Sequence, residues 1–307
     1  MPKFRAAYLK NVFRGLFLAL TALAVAGPAL AATVRDDLDR LVDVPAIPRR
    51  IICLTPALAE TCFALGLGDK IVGVAQWSDY PPEAGKVQRI GSYVSPNLEL
   101  IAALAPDLVL ADRESNPAWV VEQLDRAGIP VFVVWSRDLA ELEQNFIDLG
   151  RVTGAPDQGL GLARDFRARL EKIRARLARV EKVPVLLVIQ NRPVVSVGAG
   201  TLHHLLLETA GARNIAAGAP GRWPRLGPEA VIAAPPRVIV VTTMEKGAVL
   251  AEMLDFWRTM PGVGDRPDVR IESIPSDLID RAGPRLGQGL EELVRLIHPE
   301  IVSGEVR

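Results

Sequence analysis

Apolar, β-branched runs recur along this chain, each followed by a stretch with helical spacing. Residues 50–54, 71–75, 108–110 and 131–134 in the first half, and 185–190, 238–240 and 269–274 in the second, read as short strands. They are apolar at successive positions, which fits strands buried on both faces of a parallel sheet. Helical patterns fall between them at 57–65 (ended by Gly66), 119–127 (stopped by Gly128), 139–152, 202–209 (closed by Gly211), 250–258 and 286–297. Strands alternating with helices at this spacing predict a parallel α/β sheet.

Two stretches follow one template. Residues 91–110 read GSYVSPNLELIAALAPDLVL and residues 221–240 read GRWPRLGPEAVIAAPPRVIV, 130 residues further on and without a gap. Gly91 matches Gly221, Tyr93 matches Trp223, Glu99 matches Glu229, Ala103 matches Ala233 and Pro106 matches Pro236. Each copy places a glycine and an aromatic in a loop, then a short helix with glutamate in its first turn, where the helix dipole favours negative charge. A proline ends that helix and an apolar strand follows. A repeat this far apart predicts two similar lobes, since a solenoid repeats every ~20–50 residues.

Residues 157–180 contain no proline, no glycine after Gly161, and charges at helical spacing, so they predict one helix of about six turns. A flexible linker would be rich in glycine or serine, so this one is stiff. The expected organisation is an N-terminal α/β lobe at 48–155, a bridging helix at 156–182 and a C-terminal α/β lobe at 183–303. Both lobes are Rossmann-like, and residues 33–49 read as a polar lead-in.

Composition adds the compartment. Lys3, Arg5, Lys10 and Arg14 precede an apolar run at 16–26 and a small-x-small site at Ala29-Leu30-Ala31, so residues 1–31 are expected to be a cleaved secretory signal peptide. The run is short for a transmembrane span of about 20 residues, and no cysteine follows it to carry a lipid. Removing those four basic residues from a balanced chain leaves a net charge of −4. The expectation is a periplasmic monomer with no nucleic-acid partner. Only Cys53 and Cys62 are present. An exported protein can form a disulfide, but a strand and a helix position also suit two small buried thiols, the preferred reading.

In open α/β sheets ligands bind beyond the carboxyl ends of the strands. That rule nominates Thr55, Pro56, Trp77, Tyr80, Tyr93, Arg113 and Trp135 in the first half. In the second it nominates Asn191, Arg192, Trp223, Thr242, Thr243, Asp277, Asp280 and Arg281. A catalytic reading fares poorly. There is no Gly-x-Ser-x-Gly elbow and no phosphate loop. His203 and His204 are adjacent and His298 lies near the C-terminus, a poor set for one metal ion.

Four segments carry a family resemblance: Arg50 to Gly66; Trp77-Ser78-Asp79-Tyr80-Pro81-Pro82; Asn97-Leu98-Glu99 through Pro106-Asp107-Leu108-Val109; and Ser276-Asp277 through Arg281-Ala282-Gly283-Pro284-Arg285. From about Pro48 to His298 the chain resembles the periplasmic substrate-binding proteins of cobalamin and ferric-siderophore ABC importers, nearest the cobalamin branch. The resemblance implies two lobes joined by a long rigid helix with the ligand between them. It implies ligand contacts at Trp77, Tyr80, Tyr93, Trp223, Asp277 and Arg281. It also implies that Glu99 and Glu229 meet arginines on the importer's membrane subunits. Tyr93 stands where the cobalamin proteins tend to have tryptophan, and Arg113 likewise replaces an aromatic in the expected contact set. Arg113, Arg222, Arg225 and Arg281 together also suit an anionic ligand, such as a ferric siderophore or haem.

The expected function is therefore non-enzymatic capture of a corrinoid for an ABC importer, with the corrinoid as cargo and no cofactor. A ferric-siderophore or haem carrier is the alternative within the class. An exported α/β hydrolase is the alternative outside it, but it would need a nucleophile–base pair that the chain does not show.

Overall fold

A computed structural model describes residues 31–243 and 247–302. The segment expected to be a signal peptide lies, but for Ala31, outside the described residues. The first sheet is built from β3 (Ile51–Cys53), β4 (Ile71–Val74), β7 (Leu108–Asp112) and β8 (Val131–Val134), all parallel, in the order β4-β3-β7-β8. The second has a parallel core of β9 (Val183–Asn191), β11 (Ala212–Asn214), β13 (Val238–Thr243) and β14 (Arg270–Pro275), in the order β11-β9-β13-β14. The two orders are the same, as expected of a duplicated lobe.

The continuous apolar runs have the predicted cause. Ile51, Cys53, Leu108 and Leu110 pack on one face of the first sheet, and Ile52, Leu54, Val109 and Ala111 on the other. In the second sheet Val185, Leu187, Val238 and Val240 face one way, and Leu186, Val188, Ile239 and Val241 the other. Successive side chains alternate across a strand, so a strand covered by helices on both sides must be apolar throughout.

The repeated template holds at its 130-residue offset. Strand β6 (Ser95–Pro96) leads to the helix Leu98–Ala103, and strand β12 (Arg225–Leu226) to the helix Pro228–Ala233. Gly91 and Gly221 open the two copies at φ 97° and 83°, a left-handed backbone that a side chain would strain. Between the lobes runs a helix over Pro156–Leu177, 22 residues long, ending slightly before the expected limit. Its stripe of Ala163, Phe166, Leu170 and Ile173 is buried in the core of the second lobe, each large side chain contributing about 1.5–3 kcal/mol. The preceding helix, Leu139–Val152, adds Leu139, Leu142 and Phe146 to that same core. The two helices meet where a Cβ on Gly150 would lie 2.8 Å from the Gly159 Cα, so glycine permits the contact.

Some elements differ from expectation. The lead-in forms a hairpin, Ala31–Arg35 (β1) antiparallel to Leu41–Pro45 (β2), because Val42 and Val44 alternate inward onto the first lobe. Strand β9 continues into an antiparallel pairing with β10 (Val194–Ser196). The residues just after β14 form a short helix, Ser276–Ile279. Cys53 and Cys62 are free and fully buried, their sulfurs 3.7 Å apart.

Candidate ligand-binding cleft

The carboxyl ends of both sheets open onto one cavity of about 840 Å³. Thr55 follows β3, Trp77 follows β4, Asp112 ends β7 and Trp135 follows β8, and all four line it. From the other lobe come Ile189 of β9, Thr242 of β13, and Ser276 and Asp277 after β14. Of the nominated residues, Pro56, Tyr93, Trp223, Asp280 and Arg281 also line the cavity. Trp77 and Trp223 remain half-exposed, at 51% and 47%. Large aromatics left in solvent within a concave site are surface that a ligand can cover.

Two residues of the expected contact set lie outside the cavity wall. Tyr80 sits under the Arg285 guanidinium, 4.0 Å from the ring centroid. Arg113 stacks on Trp135 at 3.8 Å. It is the preceding residue, Asp112, that faces the cavity. Asn191 accepts from Trp257 Nε1 and donates to the Met253 carbonyl, so it ties strand β9 to a neighbouring helix. Arg192 lies over Phe256, and Arg225 is exposed away from the cavity. The side chain of Thr243 is outside the described set.

Sequence reasoning named Asp277 and Arg281 but missed Glu60, Asp79 and Arg285, which the fold gathers around them. Arg281 donates to Glu60 Oε1 at 2.8 Å and to Asp79 Oδ1 at 2.9 Å, and pairs with Asp277 at 2.6 Å. Arg285 holds the same Glu60 through both carboxylate oxygens, at 2.8 and 2.7 Å. Glu60 belongs to the first lobe and is buried, while both arginines belong to the second, so this cluster fastens the lobes together. Burial pushes the Asp79 carboxyl up, but the bond to Arg281 and its charge outweigh that and hold it below the ordinary carboxylate range. The signal in the sequence was Glu60 itself, the only charge in the helix Pro56–Ala64.

His203, set aside as a metal ligand, forms part of the wall. Its Nε2 lies 2.8 Å from Asp280 Oδ1, and its ring meets Trp223 edge-on at 5.5 Å. This contact fixes the Trp223 face. Asp112 is half-buried, and desolvation raises its carboxyl above the usual range despite the hydrogen bond accepted from Ser115 N. A raised carboxyl adds stability below its unfolded pKa and loses it as pH climbs through the folded value. Asp112→Asn should therefore raise the thermal midpoint at neutral pH, with the gain fading as pH falls through the carboxylate range. Parallel melts of both proteins across that range check it.

The charge pattern of the wall is distinctive. Its arginines, among the described residues, are Arg137, Arg222 and Arg281, and each already holds a carboxylate: Glu141, Glu114, and the Glu60–Asp79–Asp277 set respectively. Asp112 and Asp280 add further acid. The cavity thus offers aromatic surface and neutralised polar groups, with no cation free of a carboxylate partner among the described residues.

A two-lobed α/β molecule with a rigid helical bridge and an aromatic cleft is the architecture of a solute-binding protein. Residues 51–268 match the family model described as periplasmic binding protein, and the chain belongs to that family. It is 31% identical over 255 residues to the vitamin B12-binding protein of Photorhabdus laumondii, covering 82% of this chain and 89% of that one. The crystal structure of the periplasmic vitamin B12-binding protein of Vibrio cholerae superposes with a TM-score of 0.73 at 26% identity, covering 85% of this chain and 99% of that one. The periplasmic haem-binding protein from Roseiflexus sp. RS-1 gives the same TM-score at 29% identity, covering 82% and 99%. The family is one of binding proteins of ABC importers, not enzymes, and the hydrolase alternative finds no support.

Proposed function

We propose that this chain captures a corrinoid in the periplasm and delivers it to the membrane subunits of an ABC importer. In this reading the lobes 48–155 and 183–303, joined by the bridge 156–182, form the two walls. Relatives named for vitamin B12 and for haem both share the fold, so the choice rests on the chemistry of the cleft. The observation that carries it is the pairing of every wall arginine with a carboxylate of the protein itself. Haem brings propionates and the catecholate and carboxylate ferric siderophores are anionic; here those groups would meet Asp112, Glu114 and Asp280 rather than free cations. A corrin ring carries uncharged amide arms, which suit paired ions and the aromatic faces of Trp77, Tyr93 and Trp223. In this reading Asp277 and Arg281, both in the wall, are polar partners for those arms, while Arg113 stacks on the wall residue Trp135 and Tyr80 on Arg285.

Trp223→Ala should weaken cobalamin binding by roughly 1–3 kcal/mol, the scale of a lost buried aromatic anchor. Trp77→Ala should weaken it in the same direction. Titration of the protein with cobalamin, followed by quenching of the remaining tryptophan fluorescence, measures both. Parental affinity in both variants would remove these side chains from the site.

Docking on the importer is assigned to Glu99 and Glu229. Both are exposed at the second position of short helices, and neither forms an ion pair among the described residues. Two equivalent acids in two equivalent lobes suit a two-fold partner.

A further inference from the structure

Ion pairs directly between the two lobes fall into two groups among the described residues. One is the buried Glu60 cluster. The other is a single pair, Glu114 with Arg222, 2.6 Å apart across the cleft, and both residues line the cavity. The two groups differ in kind. Glu60 is 2% exposed and its arginine partners 11% and 15%. The backbone beside them is also in contact, since a Cβ on Gly283 would lie 3.3 Å from the Ala57 carbonyl oxygen. Glu114 and Arg222 are 49% and 50% exposed. Parting the first group strips buried charges of their partners, whereas parting the second hands two half-solvated groups to water.

The two sides of the exposed pair are mounted firmly. Glu114 sits in a turn where Asp112 Oδ1 accepts from Ser115 N, Asn116 N donates to the Asp112 carbonyl, and Asn116 Nδ2 donates to the Tyr93 carbonyl. Arg222 is held by its own carbonyl, which accepts from Gly198 N at 2.8 Å. Gly198 has no room for a side chain there, because a Cβ would fall 2.3 Å from the Gly221 carbonyl oxygen. Arg222 also directly precedes Trp223, so its loop carries both the ion pair and a wall aromatic.

We propose that Glu114 and Arg222 form a clasp that parts whenever ligand enters or leaves, while the Glu60–Arg281–Arg285 contact stays made and acts as the pivot. The clasp sets how long the cargo stays, and its residues determine residence time more than recognition. The cargo identity rests on the corrinoid reading, but the clasp itself does not.

The test has a ligand-free arm and a kinetic arm. Spin labels on Gln123→Cys and Glu252→Cys, both exposed and one on each lobe, report the distance between lobes. Cys53 and Cys62 are fully buried and do not compete for label in the native protein. Adding Glu114→Gln and Arg222→Gln should extend the distance distribution toward longer separations. An unchanged distribution overturns the clasp. In the kinetic arm, release of cyanocobalamin after rapid mixing should speed up about two- to five-fold in either single variant, the scale of one half-exposed ion pair. The double variant should be no faster than the singles, and the swap Glu114→Arg with Arg222→Glu should restore slow release. Added salt should speed release from the parent and leave the double variant unmoved. Parental release rates in the variants contradict the proposal. If the parent takes up no cyanocobalamin, the corrinoid reading falls, and the label distances still decide the clasp.

Discussion

Glu99→Arg combined with Glu229→Arg is expected to abolish uptake while leaving the fold and the soluble ligand affinity intact. Both glutamates are exposed and lie in the first turns of the matching helices Leu98–Ala103 and Pro228–Ala233. One explanation for an acid there is the helix dipole alone, worth about 0.3–1 kcal/mol. That explanation demands nothing of a partner, and it allows one lobe to lose its acid without consequence for transport. Docking on a two-fold membrane partner demands both. Two matched carboxylate–arginine contacts fix orientation, and arginines put in their place face like charge. Uptake of labelled cobalamin by cells carrying the variant, alongside a titration of the purified variant, separates the explanations. Uptake at the parental rate would leave the dipole as the only role.

Glu60→Gln should cost about 3 kcal/mol of stability, near the lower end for removing one member of a buried ion pair. The lower end is expected because Arg281 keeps Asp79 and Asp277. Arg285 loses the carboxylate that both its donors hold, and retains its stack on Tyr80. The glutamine preserves shape, so the loss reads charge and not volume. Denaturant unfolding with an unchanged slope would show the drop as a shifted midpoint. A loss under about 1 kcal/mol would mean that the cluster is solvated enough to be dispensable, and that the pivot assigned to it is weak.

The parts of this molecule that follow from local pattern were legible in the sequence. The apolar runs such as Val238-Ile239-Val240 announced buried parallel strands, and the glycine–aromatic–glutamate–proline order announced the second lobe. Strand ends led to Thr55, Trp77, Trp223 and Asp277, because the carboxyl edge of a parallel sheet is set by chain direction alone. Where the reading slipped, a register or a long-range contact was needed. Arg113 and Asp112 are adjacent at the end of β7, and only strand register decides which faces the cavity. The alternation of Val42 and Val44 marked a half-buried strand, but the polar residues around it masked the signal. The stacking of Arg285 on Tyr80, 205 positions apart in the chain, is a contact that no local pattern shows. The arginines that had suggested an anionic ligand were read without their carboxylates, which come from the opposite lobe for Arg222 and, through Glu60 and Asp79, for Arg281. No spacing within either lobe encodes that match.

Calorimetric titration of the protein with cobalamin, cobinamide, haem and a ferric siderophore tests the central claim most directly. A neutralised, aromatic cleft predicts saturable one-to-one binding of the corrinoids and no comparable binding of haem or the siderophore. Tight binding of haem or the siderophore, with none of cobalamin, would contradict it.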